Sequence, residues 1–349
     1  MEAFEWQQAQ SPADAAALVT HTTAAAMLTL QARPSERQAI LVKAGGVDLL
    51  DLMKEGLAIP RRLVDISQLR ELQGISTGDD GSLRIGALTT LAQIAAHPGL
   101  RQSHGALAQA AAMAASPQIR NRATLGGNLL QRPRCWYLRS AAHHCLRKGG
   151  GHCFAFAGDN RYHAVFANHG CAIVHSSTPA TALLAFHAQV EILHPRAQRY
   201  RLPLEDFFVL PEADMQRENI LGAGEILTAV WLPPQMPAHR SLYLQVAEKA
   251  AFDWPLAAVA VVLDLDAAGL CREASIVLGA AAPVPWRARQ AEALLRGAAI
   301  NGETAEAAGE AALAGATPLA QNAYKLHLLA TLVRRAVLGA VLPQDQRAP

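Results

Sequence analysis

Ser116-Pro117-Gln118-Ile119-Arg120-Asn121-Arg122-Ala123-Thr124-Leu125-Gly126-Gly127-Asn128 is the stretch on which the reading of this chain turns. A glycine pair behind a threonine, among apolar residues, reads as a backbone cradle for a phosphate-bearing cofactor. Four of the five cysteines follow closely, at Cys135, Cys145, Cys153 and Cys171. Between Asp80 and Asp159 there is no Asp or Glu, whereas nine Arg and Lys fall in that window. A pyrophosphate and a thiolate-ligated iron–sulfur cluster are both anionic, so a locally positive field suits them. A nucleic-acid patch is disfavoured, because glycines and cysteines interrupt the basic residues.

The chain has 349 residues, 51% of them hydrophobic, which is enough for two or three domains with a substantial core. Its formal net charge of +2 makes the basicity a local feature. No window approaches an uncharged membrane span, so membrane insertion is not expected. The N-terminus, Met1-Glu2-Ala3-Phe4-Glu5-Trp6, is acidic and aromatic, unlike a secretory signal. A cytoplasmic protein is expected; export with a signal-bearing partner to the periplasm is the alternative. Five cysteines in this length do not make a disulfide scaffold.

Outward from the central stretch, the periodicities predict alternating strands and helices. Phe4–Trp6 reads as a strand, and Ser11-Pro12 as the cap and first turn of a helix running to about Leu30. A polar excursion follows over Gln31–Arg37. The apolar run Ala39–Val42 reads as a buried strand entering Lys43-Ala44-Gly45-Gly46-Val47-Asp48-Leu49 and then a helix, a layout that brings backbone N–H groups close to phosphate oxygens. Alone, such a glycine pair is most often a turn. Strands are expected at Arg61–Ile66, Leu83–Ala87, Gln189–Leu193, Glu225–Trp231, Ser241–Ala247 and Ala274–Leu278. Helices are expected up to Ala96 from a threonine cap, and at Leu107–Ala115, Thr181–Phe186, Arg287–Arg296, Ala305–Ala312 and Asn322–Leu338. Pro255–Asp264 is apolar throughout and stays open between helix and strand. Pro233–Pro237 reads as a linker, and the tail after Leu342 as frayed. Neither glycine pair matches a dinucleotide G-x-G-x-x-G or a P-loop, which disfavours a Rossmann domain.

The four clustered cysteines are separated by nine, seven and seventeen intervening residues, without a C-x-x-C pair. That spacing matches neither a zinc ribbon nor a bacterial ferredoxin run. Six histidines accompany them (His143, His144, His152, His163, His169, His175). Spacing alone therefore leaves an iron–sulfur cluster, a mixed Cys/His zinc site and no metal all open. Cys271 stands apart and reads as an inert core thiol.

Ala44–Lys54, Gly86-Ala87-Leu88-Thr89-Thr90 and Ile119–Arg132 resemble the flavoprotein subunit of the xanthine dehydrogenase family of molybdenum hydroxylases. Leu278–Arg287 resembles the C-terminal domain of the same subunit. The cysteine insertion is similar to the [4Fe–4S]-carrying loop in the flavin subunits of periplasmic aldehyde oxidoreductase and 4-hydroxybenzoyl-CoA reductase. The resemblance implies an α+β chain. An FAD-binding domain of the vanillyl-alcohol-oxidase type would span 1–235, in subdomains 1–66 and 67–235, with an iron–sulfur loop at about 131–172. A C-terminal α+β domain like that of CO dehydrogenase flavoproteins would span 236–349. FAD would be held by Lys43, Ala44, Gly45, Gly46, Val47, Asp48, Leu49, Ser116, Thr124, Gly126, Gly127, Asn128 and Thr178, with Ile226 or Leu227 against the isoalloxazine ring. A [4Fe–4S] cluster would sit on Cys135, Cys145, Cys153 and Cys171. Three positions depart from the family: Val47 stands where Thr is usual, Thr178 where an Asp contacts FAD, and Gln245 where a Lys lies near the flavin.

The function so implied is an electron-transfer subunit of a heterotrimer. A large molybdenum-cofactor subunit would hydroxylate an aldehyde or aromatic heterocycle, and a small subunit would carry [2Fe–2S] clusters. Electrons would reach FAD here and leave to an external acceptor. No general acid or base, and hence no catalytic residue, is expected in such a subunit. Two other classes remain: a self-sufficient flavin dehydrogenase or oxidase, and a non-catalytic zinc-stapled module.

Overall fold

The computed structural model describes residues 1–234, 239–249 and 252–342. Three sheets carry the chain in turn. The first is built from β1 (Glu5–Gln8), α1 (Pro12–Leu18), α2 (Thr23–Leu28), β2 (Ile40–Lys43), α3 (Val47–Lys54) and β3 (Arg62–Asp65). Its strands are parallel in the order β1-β3-β2, with Ile40 opposite Arg62 and Lys43 opposite Asp65. A parallel pair needs a crossover, and α3 supplies it, so Gly45-Gly46 falls where β2 ends and a helix begins. Ser11 accepts the Asp14 N–H at 3.0 Å as α1 opens. The expected single helix to Leu30 is instead two. Val19, Thr20 and Thr22 are β-branched, Val19 turns extended, and Thr22 caps α2 by accepting the Ala25 N–H.

The second sheet is antiparallel. It comprises β4 (Ile75–Thr77), β5 (Leu83–Gly86), β6 (Gln189–Leu193), β7 (Arg199–Pro203) and β8 (Ile226–Leu232), in the order β4-β5-β8-β6-β7. Between β5 and β6 lie α4 (Leu91–Ala96), α5 (Pro98–Ser103), α6 (Gly105–Met113), α7 (Pro117–Arg120), α8 (Leu125–Leu129) and α9 (Thr178–Ala185); α10 (Leu204–Phe207) follows β7. Thr90 is the expected cap of α4, in a reciprocal box with Gln93.

The third sheet is β9 (His239–Val246), β10 (Ala257–Leu265), β11 (Cys271–Gly279) and β12 (Trp286–Arg287), backed by α11 (Arg289–Leu295), α12 (Gly302–Ala311) and α13 (Tyr324–Val341). The open run Pro255–Asp264 is strand β10. Ala258, Ala260 and Val262 join the core around α6 and α9, while Val259, Val261 and Leu263 join the core under α11–α13. Both faces are covered, so the alternation that marks a half-exposed strand is missing. Within the expected linker and boundary, residues 235–237 lie outside the described residues, as does the tail from 343. No helix among the described residues is long and apolar enough to cross a membrane.

Between Leu129 and Thr178 the only helix or strand is the 3-10 turn Leu146–Lys148. A segment this long without its own ladder must be held from outside. The third layer holds its far end. Lys325, fully buried on α13, donates to Tyr162 O at 3.3 Å, His163 O at 3.0 Å and Ala280 O at 2.5 Å. Asn322 donates to His163 O and Ala164 O, and Asn168 donates to Thr317 O. Phe166 stacks on Trp286 at 5.2 Å. Lys325→Met takes the Lys325 donor from Tyr162 O and Ala280 O, while Asn322 still serves His163 O, and we expect it to lower the unfolding free energy by about 1–3 kcal/mol in urea denaturation. It should also open residues 159–168 to limited proteolysis; unchanged stability and digestion would refute the clamp.

Candidate functional site

The two glycine pairs meet. A Cβ added to Gly45 would lie 1.9 Å from Arg122 O, so only glycine lets the α7–α8 turn approach the end of β2. A Cβ on Gly126 would lie 2.9 Å from Ala87 Cβ, which explains glycine there by close packing on β5. Around this junction opens a cavity of about 460 Å³. The expected residues Lys43, Ala44, Gly45, Gly46, Val47, Asp48, Leu49, Thr124, Gly126, Gly127, Asn128, Ile226 and Leu227 all line it.

The two loops do different work. Gly46 is the N-cap of α3 at φ +81° and carries no side-chain cap, so the first-turn N–H groups of α3, at the cavity wall, have no partner among the described residues. In the second loop the N–H groups are spent. Leu125 N donates to Thr89 O, Gly126 N to Ala87 O, and Gly127 N to Thr124 Oγ1 at 3.2 Å. The first loop offers donors, and the second chiefly offers room.

Four of the positions named from the sequence have other partners. Lys43 lines the cavity, but its ammonium is 3.2 Å from Asp65 in a buried pair and lies over the Trp6 ring. Ser116 caps α7 and is not among the lining residues. Thr178 donates to Ala110 O and lines a separate cavity of about 40 Å³ that shares Arg134 and Trp254 with the first. Gln245 accepts from the Tyr243 hydroxyl. Reading the sequence missed Arg132, Arg134, Glu218, Asn219 and Trp254 in the cavity wall. The acid-free window pointed to the two arginines; nothing local marked Glu218.

Asp48 and Asp51, on the first turns of α3, tie the cavity to the cysteine segment. Arg134 reaches Asp48 at 2.8 Å and Asp51 at 3.2 Å; Arg139 reaches them at 2.7 and 3.3 Å. Beyond these pairs lie the four thiols, all free of disulfides and half-buried or buried. Arg147 Nε donates to Cys171 Sγ at 3.3 Å, and Cys135 Sγ lies 3.2 Å from His163 Nε2. The Cys153 thiol and the Arg147 guanidinium hold Cys171 below the ordinary thiol range, while Cys171 pushes Cys153 up. Burial raises Cys135 to about 11, and the charges of Cys171 and Cys145 add to the rise. Among the described residues no three His, Cys, Asp or Glu side chains form a group that could hold a metal ion. A cubane spreads its ligands over four irons, so its thiolates ring a larger space than a single ion's donors do.

This architecture has relatives. The sequence matches the FAD binding domain in molybdopterin dehydrogenase over residues 2–235, and the CO dehydrogenase flavoprotein C-terminal domain over 242–340. It is 34% identical to the aldehyde oxidoreductase FAD-binding subunit PaoB of Escherichia coli (strain K12), over 99% of this chain and 98% of that one. It is 31% identical to the putative xanthine dehydrogenase FAD-binding subunit XdhB of the same organism, over 85% of this chain and 87% of the relative. Carbon monoxide dehydrogenase from Hydrogenophaga pseudoflava superposes with a TM-score of 0.72 at 25% identity, covering 97% of each chain. The chain therefore belongs to the FAD-binding subunits of the molybdenum hydroxylase family, and is an oxidoreductase subunit of α+β fold.

The cavity fits FAD on its own terms: unpaired helix N–H groups, glycines whose Cβ atoms would collide, and room at the junction. We expect Gly45→Ala to force the loops apart at a cost of about 1–3 kcal/mol. FAD affinity should fall with it, measured by flavin fluorescence quenching beside thermal melting. Wild-type affinity in a variant of wild-type stability would contradict the junction.

Proposed function

We propose that this chain is the electron-transfer subunit of a heterotrimeric, molybdenum-containing aldehyde oxidoreductase. It holds FAD between its two glycine loops and a [4Fe–4S] cluster on Cys135, Cys145, Cys153 and Cys171. The observation that carries this reading is the pairing of a glycine-built cavity with four free thiols on a segment that Arg134 and Arg139 tie to the cavity wall through Asp48. The PaoB likeness over nearly the whole of both chains supports the aldehyde class. The proposed partners are a large molybdenum-cofactor subunit, a small [2Fe–2S] subunit and an external acceptor. The proposed domains are 1–235, divided near residue 66, and 236–349.

Bound here, FAD supplies one- and two-electron chemistry and the cluster one-electron chemistry. The protein's own residues position and tune. Gly46 leaves the first turn of α3 open to phosphate oxygens, and Ile226 and Leu227 give an apolar wall. Arg147 and Lys148, both buried, place positive charge beside the thiols, which suits an anionic cluster. Lys148 is held by Tyr137 O at 3.2 Å and Ser140 O at 2.5 Å. Val47 leaves the phosphate region one hydroxyl poorer than the family pattern, a loss worth about 1 kcal/mol of binding.

The test is cofactor analysis of anaerobically purified chain. Wild type should carry one flavin and about four irons with matching sulfide, and Cys145→Ser should lose the iron. Flavin without iron would remove the cluster, and zinc without flavin would remove both cofactors. In the assembled complex, Cys145→Ser should also lower turnover per flavin. Poor folding with unchanged turnover per flavin would make the cluster a staple rather than a carrier.

A further inference from the structure

Arg132 is 2% exposed and belongs to the cavity wall. Its main-chain N–H donates to Asp48 Oδ2 at 2.9 Å, and its Nη1 reaches Gln216 O at 2.9 Å and Glu218 Oε2 at 3.0 Å. Its Nε and Nη2 are buried and have no partner among the described residues. A guanidinium carries five donors and keeps its charge, so unmet donors in a dry wall are costly unless a ligand meets them.

Glu218 is shared. Its other oxygen takes Arg147 Nη1 at 2.6 Å, and Arg147 in turn donates to Cys171. One carboxylate thus serves two buried cations, and the unit holds an excess of positive charge. Arg147 finds a second acceptor among the thiols. The strongest charged neighbours of Arg132 are Glu218, Arg147, Arg139 and Asp48, with no cysteine among them. Asp48 is already engaged by Arg134 and Arg139. Arg132 lines the cavity, and Nε and Nη2 are the donors of its fork that no group among the described residues meets.

We propose that Arg132 is a flavin-binding residue that donates Nε and Nη2 to oxygens of FAD, with Glu218 as the positioning residue that holds its fork. This rests on the FAD reading above. A planar fork suits oxygens of the pyrophosphate or of the isoalloxazine carbonyl edge. Both are the same acceptor chemistry.

Flavin-stripped chain titrated with FAD and with riboflavin, followed by fluorescence quenching, tests this in wild type, Arg132→Lys and the double variant R132Q/E218Q. Lysine keeps the charge against Glu218 but loses the fork; the double variant removes both charges while the amide oxygen at position 218 can still accept from Arg147, and circular dichroism selects the folded variants. We expect FAD affinity to fall about 10- to 100-fold in the folded variants. Riboflavin binding unchanged places the contact on the pyrophosphate; riboflavin weakened in step places it on the ring. FAD affinity within about threefold of wild type, in variants with native circular dichroism, overturns the proposal. Wild-type chain that takes no FAD overturns it together with the FAD reading, whereas wild-type FAD binding with unaffected variants overturns this inference alone.

Discussion

The backbone of Arg122 rests where the side chain of residue 45 would be. That single contact joins the first sheet to the α7–α8 turn of the second unit, and the cavity exists because of it. Any side chain at position 45 must displace main chain rather than a flexible side-chain tip, so the junction does not yield cheaply. The two glycine pairs look alike in sequence, yet one exposes helix donors while the other buries its own N–H groups against Thr89, Ala87 and Thr124. A phosphate-bearing ligand needs both, since donors without room bind nothing and room without donors selects nothing.

The cysteine segment depends on that junction from one side and on the third layer from the other. Asp48 and Asp51 sit on the helix whose N-terminus faces the cavity, and they fix Arg134 and Arg139 on either side of Cys135. Lys325 and Asn322 fix the main chain at residues 162–164. Such a segment gains little from local hydrogen bonding, so its shape is set by ion pairs, by borrowed carbonyl partners and by whatever its four thiols hold. Arg132, Glu218 and Arg147 make the wall between thiols and cavity a charged one.

Much of this was legible in the residues. Strands such as Ala39–Val42 and Gln189–Leu193, and the glycine pair that follows β2, announce themselves by apolar runs and turn chemistry. The resemblance of Ile119–Arg132 to molybdenum hydroxylase flavin subunits was correct. Other features were hidden for physical reasons. The α1–α2 break turns on Thr22 preferring a cap to a helix interior, which an alanine-rich run conceals. β4 and β7 are edge strands with few apolar residues, so they carry little pattern. Glu218 acquires its role only through Arg132 and Arg147, 86 and 71 positions away in sequence. Ser116 and Thr178, expected at the flavin, fall outside the lining of the main cavity: Ser116 caps its own helix, and Thr178 donates across to Ala110 O on α6.

The central claim is that the two glycine loops close on one FAD. Amide hydrogen exchange on flavin-stripped chain, with and without saturating FAD, tests it most directly. The account predicts slowed exchange at residues 45–49 and 124–128 together, at the same FAD concentration and with one stoichiometric midpoint. Protection confined to one loop, or FAD binding that protects a different surface, would contradict it.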